Sequence, residues 1–363
     1  MSPSPRRGLG VLSWLLSEDP PGRKLLNAVL ALILIALVLA PFLFPGTKAL
    51  GVASRICIFI ILVGSYDLML GYTGIVSFAH LMVFGIGAYG VGIFLSKAWV
   101  GWGAVLLGTA CGIVVAAAVA VVIGALSLRV RAIFFAMITL AVASFALILA
   151  EQWRDLTGGE DGLTFSVPEV LRPSFHLFDE PVLGVNINGT VITYYLTLVM
   201  ALVLFLFMLR VVNSPFGRVL QAIRENEFRV EAMGYQVVAH RTIVCVIAAV
   251  MAALAGALMA LVLRYVGPDA TMSFSLVIDV LLMIVIGGMG TLYGAVIGSI
   301  LVVMAEYYLR DVLGSISGAV ASVPPLSALF QPDRWLLWLG LLFVLVVIFF
   351  PQGIVGRLRQ AAR

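Results

Sequence analysis

Few residues of this sequence carry groups suited to catalysis. Its three histidines, His80, His176 and His240, are far apart, and no H-E-x-x-H occurs. Cys57, Cys111 and Cys245 show no metal-ligand spacing either, so metal-assisted hydrolysis and thiol chemistry have no constellation to work with. All three cysteines sit in apolar stretches, where they read as small hydrophobes. Gly85-Ile-Gly-Ala-Tyr-Gly90 matches the G-x-G-x-x-G dinucleotide pattern, but that motif needs a preceding strand and here it interrupts a long apolar run. Glycines 85, 87, 90 and 92, like 290, 294 and 298, read instead as places where neighbouring helices approach closely. There is no G-x-x-x-x-G-K-[ST], so the chain holds no ATP through a P-loop.

What remains is charge and polarity placed where they are costly. Arg55, Asp67, Asp279 and Glu306 fall within or near the ends of apolar runs, where an ionised side chain must be paired or hydrated. Two roles are open for them: a helix-to-helix ion pair, such as Arg55 with one of the acids, or a place on a solute pathway. Gly71-Tyr-Thr-Gly74 and Gly287-Gly-Met-Gly290 separate closely spaced apolar segments. They are either tight turns at a membrane surface or breaks in helices that line a cavity. With broken helices, Thr73, Ser77 and His80 face the pathway together with Gly71, Gly74, Gly287 and Gly288; a lone histidine hydrogen-bonded inside the bundle is the alternative.

The elements that must position these groups are transmembrane helices. The 363 residues are 62% hydrophobic and 11% charged, with a mean hydropathy of +1.14, a surplus of apolar surface that only lipid can solvate. A crossing takes ~20 predominantly apolar residues. Such stretches run at 25–44, 49–70, 75–95, 104–128, 132–150, 191–209 and 242–263, with shorter or weaker ones at 274–286, 294–309 and 335–350. The fold class is an all-α integral membrane protein, a polytopic bundle of about ten transmembrane helices within residues 25–350. Segment 1–24 has no cleavage site of the secretory kind, so the first span is expected to stay. The basic residues form no dense patch, which leaves nucleic acid without a docking surface.

With ten spans and an N-terminus inside, fourteen of the 22 lysines and arginines fall on the cytoplasmic side, among them Arg129, Arg131, Arg218, Arg224 and Arg363. The positive-inside rule thus places segment 1–24 and the tail 351–363 in the cytoplasm. The loop 151–190, which holds seven acids including Asp179 and Glu180 against two arginines, is then external.

The cytoplasmic stretch 213–241 carries helix signals of its own. Ser214 suits an N-cap and Pro215 the first turn. Phe216, Val219, Leu220, Ile223, Val230 and Met233 repeat as one apolar stripe, with Arg218, Arg224, Glu225, Glu227, Arg229 and Glu231 on the remaining faces. Gly234 suits the stop. Such a helix is too charged to span: it lies on the membrane surface or docks into a soluble partner.

Ser214-Pro-Phe-Gly-Arg-Val-Leu-Gln-Ala-Ile-Arg-Glu-Asn-Glu227 followed by Glu231-Ala-Met-Gly234 resembles the cytoplasmic coupling segment of branched-chain amino acid permeases (LivM type) of bacterial ABC importers. Gly71-Tyr-Thr-Gly-Ile-Val-Ser-Phe-Ala-His80 with Gly85-Ile-Gly-Ala-Tyr89, Thr157-Gly-Gly-Glu-Asp-Gly-Leu163 and Gly287-Gly-Met-Gly-Thr-Leu-Tyr-Gly294 are similar to that family's segments in the same order. The resemblance implies a permease in the bacterial inner membrane, with ATP and Mg bound by two separate cytoplasmic ABC ATPase subunits and no cofactor in this chain. It implies that Arg218, Arg224, Glu225, Glu227, Glu231, Ala232 and Gly234 couple to the ATPase. A second, homologous permease subunit would complete the pathway, and a periplasmic solute-binding protein would dock outside, with Thr157, Gly158, Gly159 and Gly162 as candidates to receive it. Branched-chain amino acids are the implied cargo, with urea, amides or other amino acids as alternatives. A self-sufficient ion-coupled secondary transporter is the rival from another class, and would use Asp67, Asp279 or Glu306 for its ions.

Overall fold

The computed structural model describes residues 24–43, 46–127, 132–177, 186–319, 329–350 and 353–360. Segment 1–23, the end of the tail, Arg129, Arg131, Asp179 and Glu180 lie outside them. Apolar runs without access to water must satisfy every backbone N–H and C=O internally, and these runs do so as helices. They are α1 (Lys24–Leu43), α2 (Thr47–Thr73), α3 (His80–Lys97), α4 (Trp102–Ser127), α5 (Ala132–Gln152), α6 (Gly189–Asn213), the short α7 (Pro215–Glu225) and α8 (Glu227–Ala232), then α9 (Val237–Leu263), α10 (Phe274–Gly287), α11 (Leu292–Ala319), α12 (Trp335–Phe349) and α13 (Gly353–Gln360). The only sheet among the described residues is one antiparallel pair, β1 (Leu163–Thr164) with β2 (Tyr265–Val266).

Nine of the described helical segments are long and apolar enough to cross a bilayer. The tenth expected span is α12, whose 15 residues extend about 22 Å, less than the ~30 Å of a hydrocarbon core. The expected span 75–95 is also shortened, because the chain leaves α2 at Gly74 and becomes helical again only at His80. Gly74 closes α2 in a left-handed conformation, with its N–H on Leu70 and that of Ile75 on Met69.

Helices α2 and α9 form the centre. Helix α2 packs against α6, α9, α10 and α11, and α9 also holds α3 and α4. Apolar side chains gain little by leaving lipid for protein, so close backbone approach holds such a bundle. Small residues permit it here. A Cβ on Gly87 or Gly256 would collide with the backbone of Ala253 or Phe84 respectively, and one on Gly90 with that of Gly108. The buried alanines of α9, 248, 249, 252, 253, 255 and 257, continue the same seam. The glycine pattern of α3 is thus a packing device on a helix, with no strand before it. Helix α1 is mostly exposed and is fastened to α6 by the hydroxyls of Tyr194 and Tyr195, which donate to the Leu37 and Val38 carbonyls.

Candidate coupling site and solute pathway

Helix α7 forms where its signals predict. The Ser214 hydroxyl accepts from the Gly217 N–H at 3.2 Å, and Pro215 occupies the first turn. Leu220, Ile223 and Val230 are buried, while Arg218, Glu225, Glu231, Ala232 and Gly234 are exposed. Two expectations change. The helix does not run unbroken to Gly234: Asn226 turns extended, with φ −160°, and its side chain accepts from the Arg229 N–H at 3.0 Å to cap a second helix, α8. Met233, expected on the apolar stripe, is exposed because α8 ends at Ala232 and Met233 lies just past it. Gly234 ends α8 at φ 91°. Glu227 is held by Arg241 of α9 in a two-pronged pair at 2.8 and 3.0 Å. Phe228, at 84% exposed, stands out from α8 with Met233 and Tyr235 beside it. Phe228 and Tyr235 lie outside the apolar stripe, and an apolar residue off the stripe is their signal in the sequence.

Beneath α7 the two glycine breaks meet. Asp67, 1% exposed on α2, accepts from the Gly290 N–H through Oδ1 at 2.9 Å, and its Oδ2 has no partner among the described residues. Arg224 reaches in from α7 and donates through Nη1 to the Gly71 carbonyl, within electrostatic reach of Asp67. Gly71 has no room for more: a Cβ there would strike both Asp67 Oδ1 and the Gly290 nitrogen. Gly290 holds φ 79°, a left-handed backbone that glycine adopts freely, and so can aim its N–H at the carboxylate. Gly287 and Gly288 lie just before it, backed by Gly353 at the start of α13. The structure therefore brings Asp67, Gly71, Gly74, Arg224 and Gly287–Gly290 together.

The other pathway candidates are placed deeper. His80 is buried, its Nε2 2.9 Å from Ser65 Oγ and its ring stacked at a tilt on Tyr66. Ser65 lies about two turns before the end of α2, so the extended segment after Gly74 runs back along α2 and starts α3 inside the bundle. Gly74 itself is exposed beside α7, so the chain turns at that end of the bundle and then re-enters it as an extended segment. Thr73 is also buried and its hydroxyl returns to the Met69 carbonyl at 2.5 Å, while Ser77 is 4% exposed. The gap that Ser77 and His80 share with Tyr66 and Val280 has about 10 Å³ of room, too little for a solute.

Arg55 does not form the expected ion pair. It donates to the Tyr307 hydroxyl and lies over the rings of Phe59 and Tyr307 at 5.7 and 5.5 Å. Asp279 and Glu306 stay nearby and half-exposed.

At the opposite end, Thr157 anchors the loop after α5. Its hydroxyl lies 2.6 Å from the Ala150 carbonyl and 2.7 Å from that of Trp153. Gly158, Gly159 and Gly162 all take positive φ around it. These four shape the loop, while Arg154, Asp155, Glu160 and Asp161 present exposed side chains. No group of histidine, cysteine and acidic residues suited to a metal occurs among the described residues.

A bundle of membrane-crossing helices with paired glycine breaks and an amphipathic surface helix seated on them is the architecture of a polytopic membrane permease. Residues 48–350 match the family described as branched-chain amino acid transport system / permease component, and the chain belongs to that family. It is 26% identical to the high-affinity branched-chain amino acid transport system permease protein LivM of Salmonella typhimurium, over 91% of this chain and 75% of that protein. The same protein of Escherichia coli is 26% identical over 90% and 75%. The probable LivM of Methanocaldococcus jannaschii is 26% identical over 67% of each chain. No solved structure matches. Its relatives are transport components, and this chain is a transport permease.

Proposed function

We propose that this chain is the membrane-spanning subunit of a binding-protein-dependent ABC importer and carries branched-chain amino acids by ATP-driven alternating access. The observation that carries the reading is Arg224, which ties a surface helix to the carbonyl of Gly71 where two helix breaks touch. A push on α7 reaches both breaks through one side chain. The bidentate Glu227–Arg241 pair joins α8 to central α9 in the same way. Exposed Arg218, Glu225, Glu231 and Phe228 give an ATPase both charge and an apolar anchor.

ATP and Mg belong to two cytoplasmic ATPase subunits. A homologous second permease completes the pathway, and a periplasmic solute-binding protein delivers the cargo to the loop around Glu160 and Asp161. Successive helices alternate in direction, which puts the starts of α1 and α13 at the α7 end of the bundle. That supports an inner-membrane protein with both termini cytoplasmic, as the positive-inside rule does. The names of the relatives support branched-chain amino acids as cargo. Purification from the native membrane in mild detergent, followed by mass spectrometry, tests the assembly. Two ATPase polypeptides and a second permease are expected; a chain recovered alone or only with itself overturns the reading.

A further inference from the structure

Arg55 of α2, Asp279 of α10 and Glu306 of α11 come from three packed helices, and each is half-buried. Glu306 is at the middle of the 28-residue α11, and Arg55 is about 12 Å along α2 from its start. Asp279 is within electrostatic reach of both Glu306 and Arg55. Yet neither acid has an ion pair or hydrogen bond to another described residue, unlike Asp311 with Lys48 and Glu227 with Arg241.

Arg55 is braced without being neutralised. Two aromatic rings hold its plane, Tyr307 accepts one bond, and Nε is left without a partner. A guanidinium has five N–H donors in a flat fork that fits a carboxylate. Placing such a group against lipid is costly, and pairing it with the nearby acids would have been the structural remedy. The fold does neither. It keeps one cation and two anions unpaired on three packed helices.

We propose that this face binds the charged head of a zwitterionic α-amino acid, with Arg55 and the Tyr307 hydroxyl taking its carboxylate and Asp279 and Glu306 sharing its ammonium group. The assignment rests on the importer reading above and gives its amino-acid cargo a binding site, one that urea and simple amides, with neither charge, would not fit. Three ammonium donors suit two carboxylates better than one. The site is on α2, the helix whose other end holds Asp67 and Gly71, so head-group binding and the coupling junction share one rigid element.

The test uses the whole complex, reconstituted in vesicles with its binding protein, and measures uptake of radiolabelled L-leucine, acetamide and urea per assembled complex. The variants are Arg55→Gln, Arg55→Lys and the double change Asp279→Asn with Glu306→Gln. Loss of a charge-assisted contact should lower leucine uptake about 10- to 100-fold in Arg55→Gln and in the double variant. Arg55→Lys should recover part of it, which a packing role for Arg55 would not predict. If Arg55→Gln and the double variant stay within about twofold of the natural chain, the head-group site is refuted while the importer stands. The same holds if the natural complex imports acetamide or urea and not leucine. Absence of any ATP-driven uptake by an assembled complex would remove the importer reading, and this inference with it.

Discussion

Replacing Arg224 by alanine cuts the link between the surface helix and the two glycine breaks. The side chain donates a charge-assisted bond to the Gly71 carbonyl and is the cation that Asp67 faces. A hydrogen bond from a charged group contributes about 1.5–3 kcal/mol. Arg224 is exposed as a residue, which argues for the lower part of that range, ~2 kcal/mol or about 30-fold in an equilibrium. The assay is ATP hydrolysis by the reconstituted complex, with and without substrate-loaded binding protein, normalised to assembled complex. The stimulated rate should fall by about 30-fold, and Arg224→Lys should fall less, because it keeps the charge and loses the fork. Stimulation within about twofold of the natural chain, in complexes that assemble fully, would refute the claim that force passes through this side chain.

Gly71→Ala should destabilise the chain by about 1–3 kcal/mol, since its Cβ meets a carboxylate and a backbone nitrogen that have no free space to move into; a thermal melt in detergent reads it. Phe228→Ala should leave that melt unchanged, because the ring is 84% exposed, but weaken capture of the ATPase subunits by about 2 kcal/mol or more, measured as co-purification against salt. Glu227→Gln should cost only ~0.2–1 kcal/mol, the carboxylate being 42% exposed, and should raise hydrogen exchange in α8. Spin labels at Thr47 and Arg264 should change their separation by about 1–2 Å between nucleotide-free and ATP-trapped complexes, and Arg224→Ala should abolish the change.

What the sequence made legible was local. Apolar runs give the spans because backbone in lipid has no alternative to helix. Ser214, Pro215 and Gly234 mark ends of surface helices by interactions within four residues. The break at Asn226 had the same kind of signal, a good N-cap residue followed by Glu227, but the apolar stripe on both sides suggested continuity. Distant partners had no such signal. Asp67 and Gly290 are 223 residues apart, and Arg224 and Gly71 are 153 apart. No periodicity links them. For Arg55, residue charges alone suggest an acid as partner, and the tyrosine hydroxyl and two ring faces that brace it instead have no signal in charge patterning.

Helix α2 explains why such scattered residues belong to one device. It is one unbroken helix of 27 residues, and its apolar window is 83% buried. Asp67 and Arg55 lie twelve residues apart on it, about 18 Å along the axis and about 120° around it. One therefore meets the loop before α11 while the other meets the middle of α11 itself. An axial shift imposed at Gly71 displaces Arg55 by the same amount. Helix α3 is linked to the same element at its first residue, His80, which meets Ser65 and Tyr66 of α2, and Gly87 and Phe84 hold it against α9.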